Sequence, residues 1–171
     1  LPGEMEGFAL IRRVREASDL PIVILTSLDS PEDTLRGFEA GADDFIQKPF
    51  RQKELVARVR TAITRADRNR QNEKIPLVYG HLILDPQSRR IVYRGKDVEV
   101  TPLEFQLMYY LMRHPGAVFS KEELFKNVWG YPISSTKDEV DLNLIEAAIR
   151  RLRKKVEEDP SRPRIIQTVW G

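Results

Sequence analysis

The sequence predicts two successive domains of different architecture: an α/β domain with parallel strands, then an α+β domain with a small antiparallel sheet. In residues 1–68, helical patterns alternate with two short apolar runs, which is typical of a parallel sheet. From residue 77 onward, four short apolar runs separated by turn sequences precede three helical patterns. A polar, charged stretch at residues 69–76 is the predicted linker between residues 1–68 and 77–171.

Composition limits the class of protein. A chain of 171 residues, 41% hydrophobic and 32% charged, is long enough for one or two globular domains, each with a modest core. Its longest apolar runs are about six residues, which is too short for a membrane span or a signal-peptide core. The chain has no cysteine, so disulfides and thiolate-bound metals are excluded and a reducing cytoplasm is the expected location.

Charge is distributed unevenly along the chain. The net charge is only +2, and residues 1–68 carry 11 basic and 12 acidic side chains, whereas residues 69–171 carry 17 and 14. The basic side chains of the second part are concentrated at residues 150–155, where five of six positions are cationic. This asymmetry indicates an anionic partner for the second domain.

Local signals define the elements of the first domain. Ser30, followed by proline and two acidic residues, is a helix start, because the serine caps the helix and the acids face the positive end of its dipole. Gly41 is the expected end of that helix. In the last helix, Leu55, Val59 and Ile63 form an apolar stripe that we expect to be buried. The predicted elements are helix 4–17, strand 21–26, helix 31–40, strand 44–47 and helix 51–67.

Two capping boxes mark helix starts in the second domain. Thr101 pairs with Glu104 and Ser120 pairs with Glu123, since each pair can exchange side-chain-to-backbone hydrogen bonds across a first helical turn. Turn sequences separate the short β runs before them. The predicted elements are strands 77–79, 82–85, 91–93 and 98–100, and helices 102–113, 121–129 and a third that ends near residue 158.

A hydroxyl and an ammonium group follow the two predicted parallel strands. Thr26 ends the first apolar run and Lys48 ends the second. Because the carboxyl ends of parallel strands meet at the edge where α/β proteins bind ligands, we expect these side chains to lie together. A hydroxyl and a point-charge cation suit a phosphoryl group. Pro49 follows Lys48 directly, and proline is the residue before which a cis peptide bond is energetically accessible.

The third helix of the second domain has an apolar stripe and a cationic face. Ile145, Ile149, Leu152 and Val156 recur at helical spacing and are expected to face the core. A helix with such a stripe and a cationic outer face is suited to the major groove of DNA. The predicted outer-face residues are Asn143, Ala147, Arg150, Arg151 and Lys154.

Several motifs resemble those of one known family. The sequence GADDFIQKPF at residues 41–50 is similar to the end of the receiver domain of response regulators. The motifs VWG at 128–130, IRRLR at 149–153 and QTVWG at 167–171 resemble the output domain of the OmpR/PhoB family. The resemblance covers essentially the whole chain. It implies an α/β flavodoxin-like receiver, incomplete here, followed by an α+β winged helix-turn-helix domain.

The resemblance also implies a function. A two-component response regulator binds promoter DNA and regulates transcription under control of receiver phosphorylation by a sensor histidine kinase. In such a receiver, the residues matching Thr26 and Lys48 contact an aspartyl phosphate, and the bond between Lys48 and Pro49 is expected to be cis. Phe45 occupies the place of the family's switch aromatic residue.

Contacts of the second domain are implied in the same way. Arg151 and Arg153 match residues that touch DNA, and we expect Arg151 to read a base edge and Arg153 to contact phosphate. Thr168 matches a wing contact to the DNA backbone, and Trp170 is expected to pack against sugar or backbone. The segment 131–142 matches a loop that contacts RNA polymerase.

The family dimerises through charged residues of the receiver. The cross-subunit ion pairs expected here are Asp44 with Arg58 and Glu39 with Arg60, and Glu54 is a further expected interface residue. The resemblance therefore implies a homodimer.

Parts of the family pattern are expected outside residues 1–171. The aspartate that accepts the phosphoryl group and the acidic pair that holds Mg²⁺ would precede Leu1, and the last wing strand would follow Gly171. No cofactor site is therefore expected within this chain.

Other classes of protein remain as alternatives. A glycine-rich phosphate loop, a nucleophile with a neighbouring base and a metal-ligand cluster are all missing from the sequence, so an enzyme is not expected. One alternative is a regulator of the same architecture that works without phosphorylation. Another is an adaptor whose basic helix binds an acidic protein instead of DNA. Competition between specific and random duplex distinguishes the adaptor from a DNA-binding protein.

Overall fold

The computed structural model describes residues 2–27, 30–71, 75–130 and 138–169. In this part of the chain, helices and two small sheets follow one another in the order that the sequence predicts. The elements are α1 (Pro2–Ala17), β1 (Val23–Thr26), α2 (Pro31–Glu39), β2 (Asp44–Gln47), α3 (Gln52–Gln71), β3 (Leu77–Tyr79), β4 (Leu82–Asp85), β5 (Arg90–Tyr93), β6 (Lys96–Val98), α4 (Pro102–Arg113), α5 (Lys121–Leu124), a π-helical turn (Phe125–Trp129) and α6 (Asp138–Val156).

The first domain is built on two parallel strands. β1 pairs with β2 from Val23 opposite Asp44 to Thr26 opposite Gln47, which confirms the predicted parallel arrangement. The helix between them begins where Ser30 caps it, since the Ser30 Oγ accepts a hydrogen bond from the Asp33 backbone N–H at 3.0 Å. The chain turns out of α2 at Gly41, whose φ of +112° is a conformation that favours glycine.

Helix α3 departs from two expectations. It continues to Gln71, so residues 69–71 of the predicted linker 69–76 are helical. The stripe expected to be buried is open: Val59 is 37% exposed and Ile63 is 53% exposed. The apolar spacing is present, but among the described residues the two-stranded sheet covers only part of this face. Burial therefore depended on tertiary contacts that periodicity does not contain.

The second domain begins with an antiparallel meander in the order β3-β4-β5-β6. The strands predicted at 77–79, 82–85 and 91–93 are confirmed, the third beginning one residue earlier at Arg90. The last strand, predicted at 98–100, is instead observed at Lys96–Val98. Alternation places Leu82, Leu84 and Ile91 in the core with no exposed surface. This sheet closes one side of the helical layer formed by α4, α5 and α6.

Both capping boxes are present. Thr101 and Ser120 each accept a hydrogen bond from the glutamate N–H three residues on, and each glutamate side chain accepts one from the cap N–H. The helix predicted at 121–129 is helical throughout, but its last five residues form a π turn. In that turn Phe125 and Trp129 stack with their ring centroids 5.3 Å apart, and both are buried.

One apolar cluster runs through both domains. Phe38, Ala42 and Phe45 of the first domain belong to the same buried cluster as the core of the second. Helix α2 packs directly against α6. The length of the chain allowed for two separate cores, and the structure instead makes them continuous. The face of α6 that α2 covers is therefore not open to solvent.

Candidate nucleic-acid interface and phosphoryl-lining edge

Thr26 and Lys48 lie together at the carboxyl edge of the parallel pair. The Lys48 backbone N–H donates to the Thr26 carbonyl at 2.6 Å, one residue beyond the last strand pair. The Lys48 side chain is exposed, and the peptide bond between Lys48 and Pro49 is cis, as predicted. The backbones of the two residues therefore meet at this edge, where the Lys48 side chain is exposed and Thr26 is half-buried.

Phe45 points away from that edge into the core. Its ring lies 6.4 Å from the ring of Phe38, tilted by 55°, and both side chains are buried. Phe38 is in the last turn of α2, so the aromatic pair connects β2 to the end of that helix. The residue predicted to be a switch aromatic thus contacts the helix that covers α6.

The core stripe of α6 is confirmed. Ile145, Leu152 and Val156 have no exposed surface, and Ile149 is partly buried. On the other side of the helix the side chains of Arg150 and Lys154 are exposed, and Asn143 is half-buried. These three are the predicted outer-face residues that keep exposed surface, although Arg150 also pairs with Glu39 of α2.

Two predicted outer-face residues turn inward instead. Ala147 is 1% exposed, and the Arg151 side chain is 12% exposed. Arg151 Nε donates to Glu104 Oε1 at 2.6 Å, and its Nη1 donates to the Phe38 carbonyl. The prediction that Ala147 and Arg151 lie on an open face is wrong in this arrangement, because α4 and α2 cover α6 on two sides.

Glu104 is the buried anion that organises this side of α6. Its two carboxylate oxygens bind Arg151 and, at 2.7 Å, the Lys155 ammonium. Oε2 also accepts from the Thr101 backbone N–H at 3.0 Å. Burial by itself raises the pKa of Glu104, but the Arg151 and Lys155 cations together with these hydrogen bonds outweigh it and lower the pKa below its ordinary value of 4.5. The carboxylate therefore stays ionised inside the protein.

Arg153 joins α6 to the C-terminal segment. Its Nε donates to the Ile166 carbonyl at 2.8 Å, and its Nη2 donates to Thr168 Oγ1 at 2.8 Å. The hydrogen bond to Thr168, whose side chain is exposed, connects Arg153 and Thr168, the two predicted DNA contacts. Trp170 lies outside the described residues, as does most of the segment 131–142 that is predicted to meet RNA polymerase.

The residues predicted to form a dimer interface make contacts within one chain. Arg58 Nη1 lies 3.0 Å from Asp44 Oδ1, with both side chains buried, and Arg58 Nε lies 3.4 Å from Glu54. Glu39 pairs with Arg150 of α6, whereas the sequence predicted a cross-subunit partner in Arg60. Cross-subunit pairing stays a prediction, and each of its charges except Arg60 already has an intrachain partner.

Asp43 is a site residue that sequence reasoning did not single out. It is buried; its Oδ2 accepts from Arg15 Nη2 at 2.7 Å and from the Ile22 N–H at 2.8 Å. Its Oδ1 accepts from the Leu103 N–H at 3.2 Å, in the first turn of α4. An acid shortly after a glycine is common in loops, so only the fold reveals that this one joins the two domains.

The described residues hold no group of three or more His, Cys, Asp or Glu side chains that could bind a metal ion. The described side chains therefore do not supply a set of ligands for Mg²⁺. No described helix is long and apolar enough to cross a membrane.

Comparison with known proteins agrees with this architecture. Residues 1–60 match the family described as response regulator receiver domain, and residues 95–171 match the family described as transcriptional regulatory protein, C terminal. The chain is 40% identical over 174 residues to the DNA-binding response regulator MtrA of Mycolicibacterium smegmatis, in an alignment that covers 100% of this chain and 71% of MtrA.

Two solved structures are similar to the chain. A mutant of RitR is 23% identical with a TM-score of 0.65, over 89% of this chain and 66% of that one, and so shares the fold. Response regulator DrrB, an OmpR/PhoB homologue from Thermotoga maritima, is 30% identical with a TM-score of 0.49, over 95% and 70% of the two chains.

A receiver joined to a winged-helix output domain defines a two-domain transcriptional response regulator, a class of regulatory proteins and not of enzymes. This chain belongs to the OmpR/PhoB family of response regulators.

Proposed function

We propose that this protein regulates transcription by binding promoter DNA through α6, under control of receiver phosphorylation by a sensor histidine kinase. The observation that carries the proposal is the geometry of α6. Its stripe of Ile145, Leu152 and Val156 is fully buried, while Arg150 and Lys154 project from the opposite side. A cationic helix fixed by its own core can enter a groove without losing packing.

The exposed residues of α6 supply the first set of contacts to DNA. Lys154 and Arg150 would contact phosphate, and the amide side chain of Asn143 would contact a base edge. Arg153 and Thr168 act together, because Arg153 holds the segment that carries Thr168. Trp170 would extend that contact along the backbone.

Duplex competition tests the proposal. The chain is bound to a labelled duplex containing its promoter site, and the complex is challenged with the same duplex unlabelled or with random duplex. Preferential displacement by the specific duplex supports promoter binding. Equal displacement by both, or displacement only by an acidic polypeptide, contradicts it and favours the adaptor.

Phosphorylation control is part of the same proposal. In this proposal, Thr26 and Lys48 supply the hydroxyl and the cation beside the phosphoryl group. Replacing Lys48 with Ala in a protein with the complete receiver is expected to preserve phosphate uptake but remove phosphate-dependent association. Normal association of that variant would contradict the role of Lys48 and favour a regulator that works without phosphorylation.

The remaining partners are those that the family suggests. We propose a homodimer that uses the charged receiver surface, with RNA polymerase contacted through segment 131–142 and a cytoplasmic location. Exposed ion pairs contribute roughly 0–1 kcal/mol each, so pairs of this kind would set the geometry of a dimer more than its affinity.

A further inference from the structure

One carboxylate holds the C-terminal segment, residues 164–169, against the end of α6. Glu157 directly follows α6, and its side chain accepts at 2.8 Å from each of three successive backbone N–H groups, those of Arg164, Ile165 and Ile166. An ionised carboxylate has only acceptor atoms, so it suits a site that gathers three donors. In the described structure, residues 164–169 belong to no helix or strand, and side-chain hydrogen bonds of this kind therefore fix their position.

Both backbone groups of Ile166 are bound. Its N–H donates to the Glu157 carboxylate, and its carbonyl accepts from Arg153 Nε at 2.8 Å. The Glu157 N–H in turn donates to the Arg153 carbonyl at 3.0 Å, which continues the helical hydrogen-bond pattern of α6 by one residue. Glu157, Ile166 and Arg153 thus form a closed hydrogen-bond ring between the end of α6 and the C-terminal segment.

The hydrogen-bond ring lies where the segment leaves the core. The Ile166 side chain is 6% exposed and belongs to the core cluster, whereas the next three residues, Gln167, Thr168 and Val169, are exposed. Arg153, a member of the ring, also donates through Nη2 to Thr168 Oγ1 at 2.8 Å. The position of the exposed Thr168 hydroxyl therefore depends on the ring that Glu157 closes.

We propose that Glu157 is a positioning residue for DNA binding, which fixes the C-terminal segment so that Thr168 meets the DNA backbone while α6 lies in the groove. The inference rests on the proposed function, since it takes α6 and Thr168 to contact DNA. A carboxylate repels phosphate, so Glu157 can favour binding only through the position of the segment. Electrostatics alone predicts tighter duplex binding when its charge is removed, and loss of positioning predicts weaker binding.

The test measures the affinity of the whole chain for specific duplex in wild type, Glu157→Gln and a matched control, Glu158→Gln. Both variants remove one negative charge from adjacent residues, but Glu158 is exposed and pairs with Arg94. Glutamine keeps only one acceptor oxygen, so the Arg164 N–H would face an amide donor. We expect Glu157→Gln to bind about fivefold more weakly than Glu158→Gln, the effect of roughly one lost hydrogen bond.

Two further measurements separate positioning from a general loss of structure. Thr168→Val should weaken duplex binding in the wild-type background and add little in the Glu157→Gln background, because the segment is already displaced there. Without DNA, hydrogen exchange at the Ile165 and Ile166 amides should accelerate in Glu157→Gln but not in Glu158→Gln, while exchange in β4 stays slow in both. Equal acceleration in β4 would mean that Glu157 supports the whole fold, which would overturn the positioning role.

The outcomes distinguish this inference from the proposed function. Equal duplex affinities for Glu157→Gln and Glu158→Gln, with binding still weakened by Lys154→Ala, would overturn the role of Glu157 and leave DNA binding by α6 intact. Additive losses for Glu157→Gln and Thr168→Val would overturn it as well. If wild type does not distinguish specific from random duplex, the proposed function fails, and the role of Glu157 in DNA binding fails with it.

Discussion

Glu104 and Arg151 form a buried ion pair that joins α4 to the predicted DNA-binding helix α6. The carboxylate has no exposed surface and lies 2.6 Å from the guanidinium, with Lys155 on its other oxygen. The pair explains why one of the most basic stretches of the chain does not present all of its cations to solvent. It also identifies Glu104 as more than the capping residue that the sequence indicates.

Replacing Glu104 with Gln should destabilise the protein strongly. The change leaves Arg151 and Lys155 near each other without their anion, and breaking a buried pair in this way costs about 3–5 kcal/mol. Urea unfolding at pH 7 measures the difference in unfolding free energy. Glu123→Gln is the matched control, because Glu123 occupies the same place in the second capping box but is exposed; it should cost about 1 kcal/mol or less. Equal losses of unfolding free energy in the two variants would mean that Glu104 stabilises the protein only as a helix-capping residue.

The stabilisation by Glu104 should depend on pH. Because the folded pKa lies below the ordinary 4.5, the stabilisation is fully present above 4.5 and is lost as pH falls through the lowered pKa. The difference in unfolding free energy between wild type and Glu104→Gln should therefore shrink below pH 4.5. A difference that stays constant between pH 7 and pH 3 would contradict the assigned direction.

Arg58→Met should destabilise the receiver by leaving Asp44 buried without its guanidinium. The expected loss is about 3 kcal/mol or more, and the double variant Asp44→Asn with Arg58→Met should recover part of it. Unfolding of the four proteins provides the double-mutant cycle, and sedimentation measures their association separately. If Arg58→Met weakens association but leaves the unfolding free energy unchanged, Asp44 and Arg58 would pair between subunits, as the sequence predicted.

Lys154→Ala should weaken duplex binding and make it less dependent on salt. A phosphate contact contributes roughly one unit to the slope of log K against log salt, so the slope should flatten by about that amount. Lys96→Ala removes an equal charge from the β6 edge and is the control. If both variants change the slope equally, Lys154 acts only through net charge.

Thr168→Val should loosen the C-terminal segment without disturbing the core. It removes the hydroxyl that accepts from Arg153, a contribution of about 1 kcal/mol. Hydrogen exchange of the amides near Ile166 should accelerate, while that of β4 should not. Unchanged exchange near Ile166 would mean that the Thr168 hydroxyl does not hold the segment, which would then depend on the Arg153 bond to the Ile166 carbonyl and on the Glu157 carboxylate, the acceptor of the Ile165 and Ile166 N–H groups.

The sequence by itself determined the elements and their order. Capping boxes, turn residues and strand alternation are local, so helix α4, the β meander and the parallel pair that brings Thr26 beside Lys48 could be predicted within a few residues. The apolar stripe of α6 was also predictable from its 3.6-residue period, and unlike the stripe of α3 it is covered by the rest of the protein.

Only the tertiary structure decided which side of α6 is covered. Arg150, Arg151 and Lys154 are equivalent cations in the sequence. In the structure, Arg150 pairs with Glu39, Arg151 is buried against Glu104, and Lys154 faces solvent. The same holds for Asp43, whose partners lie 28 residues before it and 60 residues after it. Periodicity states that a helix has two faces, but contacts between residues distant in sequence determine what lies against each of them.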